Sequence, residues 1–414
     1  MWKNLLQDFV GDLKTQKTRA FLTIFAVGWG TLSIVLLLSF GEGLKHAILN
    51  GQLGAGEQIF IIYGGTTTRP YQGLPTGRYN PLHEEDLKLL KDNIPEIDLV
   101  SPSYGKWGAV LRAGSIQTTT MMEGVDPSFS ILRNMYPAAG GRFLNAQDVL
   151  QRRRVAFLGD SIAKRLFPDT SAVGQTLFVD GVPFTVVGTM VPKFQTSMNN
   201  GPDADRIIIP SSTMAALYGR TTVSSLIVRP RDATQAEYVK RRIYEVLGAR
   251  YQFDPDDEGA LGIWDFIENL RMSRLIAVGI QIFLGVVGAL TLTVAGIGLA
   301  NVMYVVVRER TREIGIKRAL GARRKHIVTQ FVAEATLLAM TGGLIGLGLA
   351  ATLVVAVASI PDANTAMTFI ANPQLSWWIG LGTVGILTAI GIFAGVLPAR
   401  RAATVDPVEA LRYE

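Results

Sequence analysis

The 414-residue chain has no cysteine and only three histidines. Without thiols it can form neither a disulfide nor a thiolate metal site, so any folded part must be held by packing. His46, His83 and His326 are far apart in the sequence, which argues against a histidine metal centre or a serine–histidine triad. No Gly-x-x-x-x-Gly-Lys-Ser/Thr run occurs. The nearest approach, Tyr104–Gly108, lacks the first glycine and the hydroxyl, so these residues hold no phosphate-cradling loop of that type. Asp160-Ser161 follows Gly159 without a Gly-x-Ser-x-Gly elbow and reads instead as a helix cap ahead of Ile162–Phe167.

Charge is also missing in long stretches. Phe21–Phe40, Leu275–Val307, about 327–360 and Leu375–Leu397 hold one ionisable side chain between them, Glu334. Crossing a hydrocarbon core takes roughly 20 apolar residues, so four membrane spans are expected. Mean hydropathy is +0.27. The spans carry no ionisable group at mid-membrane; Gln281, Thr291, Thr293 and Asn301 are mild by comparison. That argues against a secondary transporter with a charged midplane site. Small residues recur at interval four, at Gly342, Gly346 and Ala350 and at Gly391, Gly395 and Ala399, which predicts close helix packing within the chain or across a dimer.

The charge that is present is concentrated. The net charge is +6, yet residues 41–274 hold 25 basic and 25 acidic side chains. The excess sits in short segments beside the spans, chiefly 308–326 with eight basic and two acidic residues. This is a positive-inside pattern and not a nucleic-acid patch. It predicts cytoplasmic termini (1–19 and 398–414), a cytoplasmic connector (308–326), a large outside segment and a short outside loop (361–374). The leading segment is too long and too acidic for a cleaved signal peptide, so the first span is expected to be an uncleaved anchor. Trp2, Leu5, Leu6, Phe9, Val10 and Leu13 fall on one helical face, predicting an amphipathic helix on the membrane surface over 1–19.

The expected fold is therefore an α-helical four-span bundle with a large extracytoplasmic α/β domain on a two-helix stalk. Segment 20–50 makes the first span and one stalk helix. Segment 261–307 makes the other stalk helix and the second span, with a continuous helix expected from about 262 to 310. Spans three and four take 327–360 and 375–397. Within the outside domain (51–260), strand–helix–strand signals at 57–104 and again at 224–248 predict a ferredoxin-like half. A strand-rich subdomain, about 122–222, interrupts it, with a hairpin turning at Asp180-Gly181.

The connector reads as a short helix with Glu309 and Glu313 among Arg308, Arg310, Arg312 and Lys317, and an i,i+4 pair is expected between Glu313 and Lys317. Gly321-Ala322 should end it, and Ile314, Ile316 and Leu320 need cover. Residues 309–335 (ERTREIGIKRALGARRKHIVTQFVAEA) resemble the loop after the second span in permeases of the MacB/FtsX superfamily of ABC transporters. The resemblance extends to 295–307, 342–350, the C-terminal 395–414 (GVLPARRAATVDPVEALRYE), and 124–148 and 152–188 outside the membrane.

That resemblance implies a bacterial inner-membrane protein with its large domain in the periplasm, working as a dimer of permeases with a cytoplasmic ATPase pair. The ATPase would bind ATP and magnesium; no cofactor is expected in this chain, and the chain itself is expected not to be an enzyme. Glu309, Arg310, Thr311, Arg312, Glu313, Ile314, Gly315, Lys317, Ala319, Leu320, Gly321 and Ala322 would form a coupling helix seated on the ATPase. Ile314 and Leu320 would fill apolar depressions there, and Glu313 would pair with a base. ATP-driven motion would reach the periplasmic domains (mechanotransmission) and drive export of an amphiphilic or peptide-like substrate, with a periplasmic adaptor and an outer-membrane duct as further partners. MacB itself carries its ATPase ahead of the permease, and this chain begins with a short amphipathic segment, so a separate ATPase polypeptide is expected. The same resemblance admits lipoprotein release or control of cell-wall hydrolases, and a membrane sensor without an ATPase is the alternative from another class.

Overall fold

A computed structural model describes residues 17–195, 198–359 and 373–404. The amphipathic helix expected before Lys17, nearly all of the outside loop 361–374 and the end of the C-terminal tail fall outside the described residues. The chain divides into two compact units, Met1–Ala47 with Leu275–Glu414, and Ile48–Arg274.

The first unit is built from four helices long and apolar enough to cross a membrane: Lys17–Leu53, Phe266–Glu309, Arg324–Ala358 and Trp377–Thr404. Each contains one of the expected apolar segments. At 1.5 Å per residue the first two are about 55 and 66 Å long, well beyond a hydrocarbon core of about 30 Å. Lipid-type side chains face outward: Phe21, Phe25 and Trp29 are exposed and stacked along the first span. Trp377 and Trp378 stack at the start of the fourth, where aromatic belts sit.

The small residues act inside this one bundle. A Cβ placed on Gly346 would lie 2.3 Å from the Gly28 carbonyl oxygen, and one on Gly342 would lie 2.8 Å from that of Ile24. The first and third spans therefore touch backbone to backbone. Gly391 and Gly395 of the fourth span lie as tightly against Thr336 and Val332 of the third. Without a hydrophobic drive between helices in lipid, this close approach supplies the packing contacts. The expected continuous helix from about 262 starts later. Gly262–Asp265 is strand, and the helix begins at Phe266, where the Asp265 carboxylate accepts from the backbone N–H groups of Ile267 and Glu268 at 2.9 and 3.0 Å. An N-cap aspartate explains the displaced start.

The second unit holds nine strands, β1 (Phe60–Gly64), β2 (Ile97–Ala113), β3 (Ile116–Val125), β4 (Val155–Leu158), β5 (Thr176–Val179), β6 (Val182–Thr189), β7 (Arg206–Pro210), β8 (Ser225–Pro230) and β9 (Leu261–Asp265). One half runs β9-β1-β8-β2, all antiparallel. Helix Glu85–Asn93 links β1 to β2, and Ala236–Tyr251 links β8 to β9. This is the split βαβ arrangement of a ferredoxin-like half. The second of these helices turns Val239, Ile243 and Leu247 into the core at a four-residue period.

β2 continues past a bulge between Lys106 and Ala109, where Gly108 takes φ 70°, and so leaves the ferredoxin-like half. Its far end pairs with β3 and β5. Together with β3–β7, β7–β4, β4–β6 and β6–β5, these pairings close a ring of six strands. Asp180 (φ 48°) and Gly181 (φ 83°) both have positive φ at the β5–β6 turn, the geometry a two-residue hairpin demands. The helix after Gly159, Asp160–Leu166, has no side-chain cap. Gly159 is there because a Cβ would strike the carbonyl oxygens of Asp203 and Ala204.

The ring is tied to its neighbours by buried charge. Arg133 and Arg206 each hold Asp203, at 2.9 and 3.1 Å, Lys193 holds it at 2.7 Å, and Arg206 also pairs with Glu123. Asp203, Arg133, Arg206 and Glu123 are almost wholly buried. Burial alone would raise the Asp203 pKa, but the three cations hold it well below the usual carboxylate range. Burial pushes the Lys193 ammonium down to about 8, helped by Arg133 and Arg206 and opposed by Asp203.

Two outcomes follow. Replacing Gly346 by Leu should force the first and third spans apart and lower thermal stability in detergent by at least about 1–3 kcal/mol, the usual cost of overpacking; an unchanged melting curve would contradict the packing described. Unfolding returns Lys193 to the ordinary lysine value of 10.5. Between about pH 8 and 10.5 the unfolded chain therefore binds the extra proton, and stability contributed by this group rises with pH, by on the order of 3 kcal/mol across the window. Lys193→Met should flatten that slope in a pH series of unfolding curves, whereas an unaltered slope would show that Lys193 titrates normally.

Candidate functional site

The second span ends at Glu309. Arg310 leaves helical geometry (φ −93°, ψ 10°), and a nine-residue helix, Thr311–Ala319, follows. It closes in a complete Schellman motif: Gly321 has φ 93°, its N–H donates to the Arg318 carbonyl at 3.0 Å, and that of Ala322 donates to the Lys317 carbonyl at 3.0 Å. Arg323 then caps the third span, which begins at Arg324. Gly321 is required here because the motif needs a left-handed residue, as the Gly-Ala pair predicted.

The face this helix presents differs from expectation at one position. Ile314 is 4% exposed and belongs to a buried apolar cluster with Leu299, Met303 and Val307 of the second span, Ile327 and Phe331 of the third and Ala399 of the fourth. It cannot fill a depression on a partner, because its own bundle already covers it. Gly315 beside it is buried too. Leu320 is 83% exposed and Ile316 44%, so these are the apolar side chains left uncovered. Arg312, Glu313, Lys317, Ala319 and Gly321 are exposed, and Thr311 and Ala322 partly so. The expected Glu313–Lys317 pair does not form. The Lys317 ammonium donates to the Gln330 side chain at 3.3 Å, and Glu313 makes no ion pair among the described residues.

The root of the helix is held ionically. The Arg19 guanidinium donates in a fork to both oxygens of Glu309, at 2.8 and 2.9 Å. Arg310 pairs with Glu334 of the third span at 3.6 Å. Arg401 lies over the Tyr304 ring, 5.2 Å from its centroid. Arg19 and Glu334 were not singled out for this site from the sequence, although Glu334 was visible as the lone charge inside a span. Such a group ordinarily marks function and needs a partner.

Exposed apolar and exposed charged side chains meet at the end of this helix. An apolar tip, Leu320 with Ile316, stands among Arg312, Lys317, Arg323, Arg324 and Lys325 with one acid, Glu313; all are exposed. With four span helices and an α/β unit between the first two in sequence, the chain has the architecture of a polytopic permease. Residues 20–246 match the family model of the MacB-like periplasmic core domain, and 285–407 match the FtsX-like permease C-terminal domain. The chain belongs to the MacB/FtsX superfamily of ABC transporter permeases.

It is 28% identical, over its full length, to the macrolide export ATP-binding/permease protein MacB of Bdellovibrio bacteriovorus, covering 62% of that protein. It is 32% identical over 96% of its length to the pyoverdine export ATP-binding/permease protein PvdT of Pseudomonas putida, covering 57% of that protein. The chain thus spans about three-fifths of the length of these relatives. The crystal structure of the periplasmic region of MacB from Actinobacillus actinomycetemcomitans aligns with 54% of this chain and 96% of its own, at 19% identity and a TM-score of 0.43.

The burial pattern separates two leucine-sized side chains by role. Ile314→Ala should cost about 2–4 kcal/mol of stability, as a cavity among three spans does. Leu320→Ala should leave the unfolding curve within about 0.5 kcal/mol of wild type. Equal effects in chemical or thermal unfolding would overturn the assignment.

Proposed function

We propose that the chain is the permease part of an ATP-driven exporter, and that its connector helix, Thr311–Ala319 with the tip at Leu320, docks an ATP-binding module supplied from outside these 414 residues. The observation that carries this is the division of the helix into a seated root and an uncovered tip. Ile314 fixes the root in the bundle, so force applied at Leu320, Ile316 and Glu313 reaches the span helices instead of bending a loose loop. The relatives' names, with both ATP-binding and export in them, support the same reading.

In it, the connector and both chain termini face the cytoplasm and the α/β unit lies in the periplasm of a two-membrane bacterium. The docked modules bind ATP and magnesium, and a second permease copy completes the assembly. Closure of the ATP-binding pair displaces the connectors, and the span helices carry the displacement outward (mechanotransmission). Cargo is an amphiphilic or peptide-like molecule handled outside the membrane with a periplasmic adaptor and an outer-membrane duct. The spans offer no ionisable midplane site, in keeping with a cargo that does not cross through them.

Of the twelve residues the family resemblance suggested, Glu309, Arg310, Ile314 and Gly315 serve the root. Arg312, Glu313, Ala319 and Leu320 are exposed to a partner, and Lys317 is exposed while donating to Gln330. Leu320 is the anchor in this reading, with Glu313 as its charged companion. Co-expression with the genomic neighbours, extraction in mild detergent and mass spectrometry of what co-purifies provides the test. A stoichiometric P-loop ATPase is expected. Leu320→Asp and Glu313→Lys should each weaken its retention about tenfold or more, as loss of an interface anchor does, without changing the melting curve. A folded chain that retains no ATPase with or without a non-hydrolysable ATP analogue would refute the reading and favour a sensor.

A further inference from the structure

We propose that Arg19 and Glu334 are the positioning residues of the connector, tying its root to the first and third spans so that displacement of the tip is delivered to both at once. This rests on the connector being the docking site of an ATP-binding module.

The geometry is specific. The backbone leaves the helix at one residue, Arg310, and the two residues at that break carry the two ion pairs. Glu309, the last residue of the second span, is held by Arg19 in the first turns of the first. Arg310 is held by Glu334 of the third. The pairs have opposite polarity and run to different helices. Movement of the root relative to the first or the third span therefore stretches one of them. One turn further on, Ile314 is locked in the bundle, and Lys317 reaches Gln330 of the third span. The root is thus held at Glu309, Arg310, Ile314 and Lys317, whereas Ile316 and Leu320 are left uncovered.

The two pairs differ in strength. Glu334 has a side chain only 12% exposed, whereas Arg19 and Glu309 are 32% and 42% exposed. The less exposed carboxylate is the costlier one to separate from a cation, so Arg310–Glu334 is the more persistent pair. The solvent-facing Arg19–Glu309 pair is weak enough to open and re-form. It is thus the contact that yields when the connector moves, and its fork geometry restores the register between the first and second spans afterwards.

The test uses the chain with its co-purified ATPase in lipid nanodiscs. Arg19→Glu should retain the ATPase on pull-down yet lower permease-stimulated ATP hydrolysis about tenfold, the scale of an inter-site coupling free energy. The exchange Arg19→Glu with Glu309→Arg should restore it to within about threefold by the same scale. Hydrolysis unchanged in Arg19→Glu, or an exchange no better than the single variant, overturns the positioning role. If Arg19→Glu does not fold, Arg19→Gln, which removes the pair without adding a repulsion, should lower stimulated hydrolysis while Arg19→Lys retains it, and equal rates in the two overturn the proposal. Loss of the ATPase from the wild-type chain would instead defeat the docking reading itself, whereas a docked ATPase indifferent to Arg19 defeats only the positioning role.

Discussion

A carboxylate within an apolar span is the constraint around which the connector end of the bundle is arranged. Glu334 lies in the third span and is nearly buried. An uncompensated charge there would cost several kcal/mol. Arg310, which stands where the backbone turns from the second span into the connector, supplies a cation at 3.6 Å. That pair helps place the end of the second span. Once Arg310 is committed, Glu309 points to the first span and finds Arg19, and the next turn brings Ile314 down among Met303, Phe331 and Ala399. One electrostatic demand thus helps set the direction in which the connector helix leaves the bundle.

The backbone contacts of the spans make that arrangement transmissible. Where Gly346 meets Gly28 and Gly395 meets Val332, helices touch through main-chain atoms instead of adaptable side chains. Side chains can absorb a displacement by changing rotamer, and backbones in contact cannot. Helices packed in this way pass on a shift applied at their ends. The same logic appears in the α/β unit, where Arg133, Arg206 and Lys193 converge on Asp203. Buried pairs of that kind add little net stability against an apolar alternative, but breaking them is costly, so they favour one fixed geometry for the strand ring.

Much of this could be read from the residues in order. The spans announced themselves by length and lack of charge, the hairpin by Asp180-Gly181, the connector's end by Gly321, and the ferredoxin-like half by its repeated strand–helix order. These are local signals, and local chemistry determined them. What escaped depended on distant partners. The ring of six strands needs β2 to bend at Gly108 and pair on both sides, and glycines in mid-strand read locally as a loop. The start of the second long helix was displaced because Gly262–Asp265 is claimed by β1. Ile314 looked available because a hydrophobic side chain among arginines gives no hint that three helices already enclose it.

That last case separates two kinds of information in a charged connector. Residue type indicates that a segment protrudes; only packing indicates which side chains are spent on holding it. Of the apolar residues on the connector, Ile314 is consumed by the bundle, while Leu320 lies beyond the last anchoring contact and just before the chain reverses at Gly321. A docking anchor has to be unsatisfied in the isolated chain, since burying it is what contributes affinity. It also has to be rigidly connected to whatever it moves. Leu320 meets the first condition by exposure and the second through the Schellman closure behind it and the Ile314 root one and a half turns earlier. Neither condition alone would suit a lever, and their combination between Ile314 and Leu320 is the physical reason the proposed force transmission is placed there.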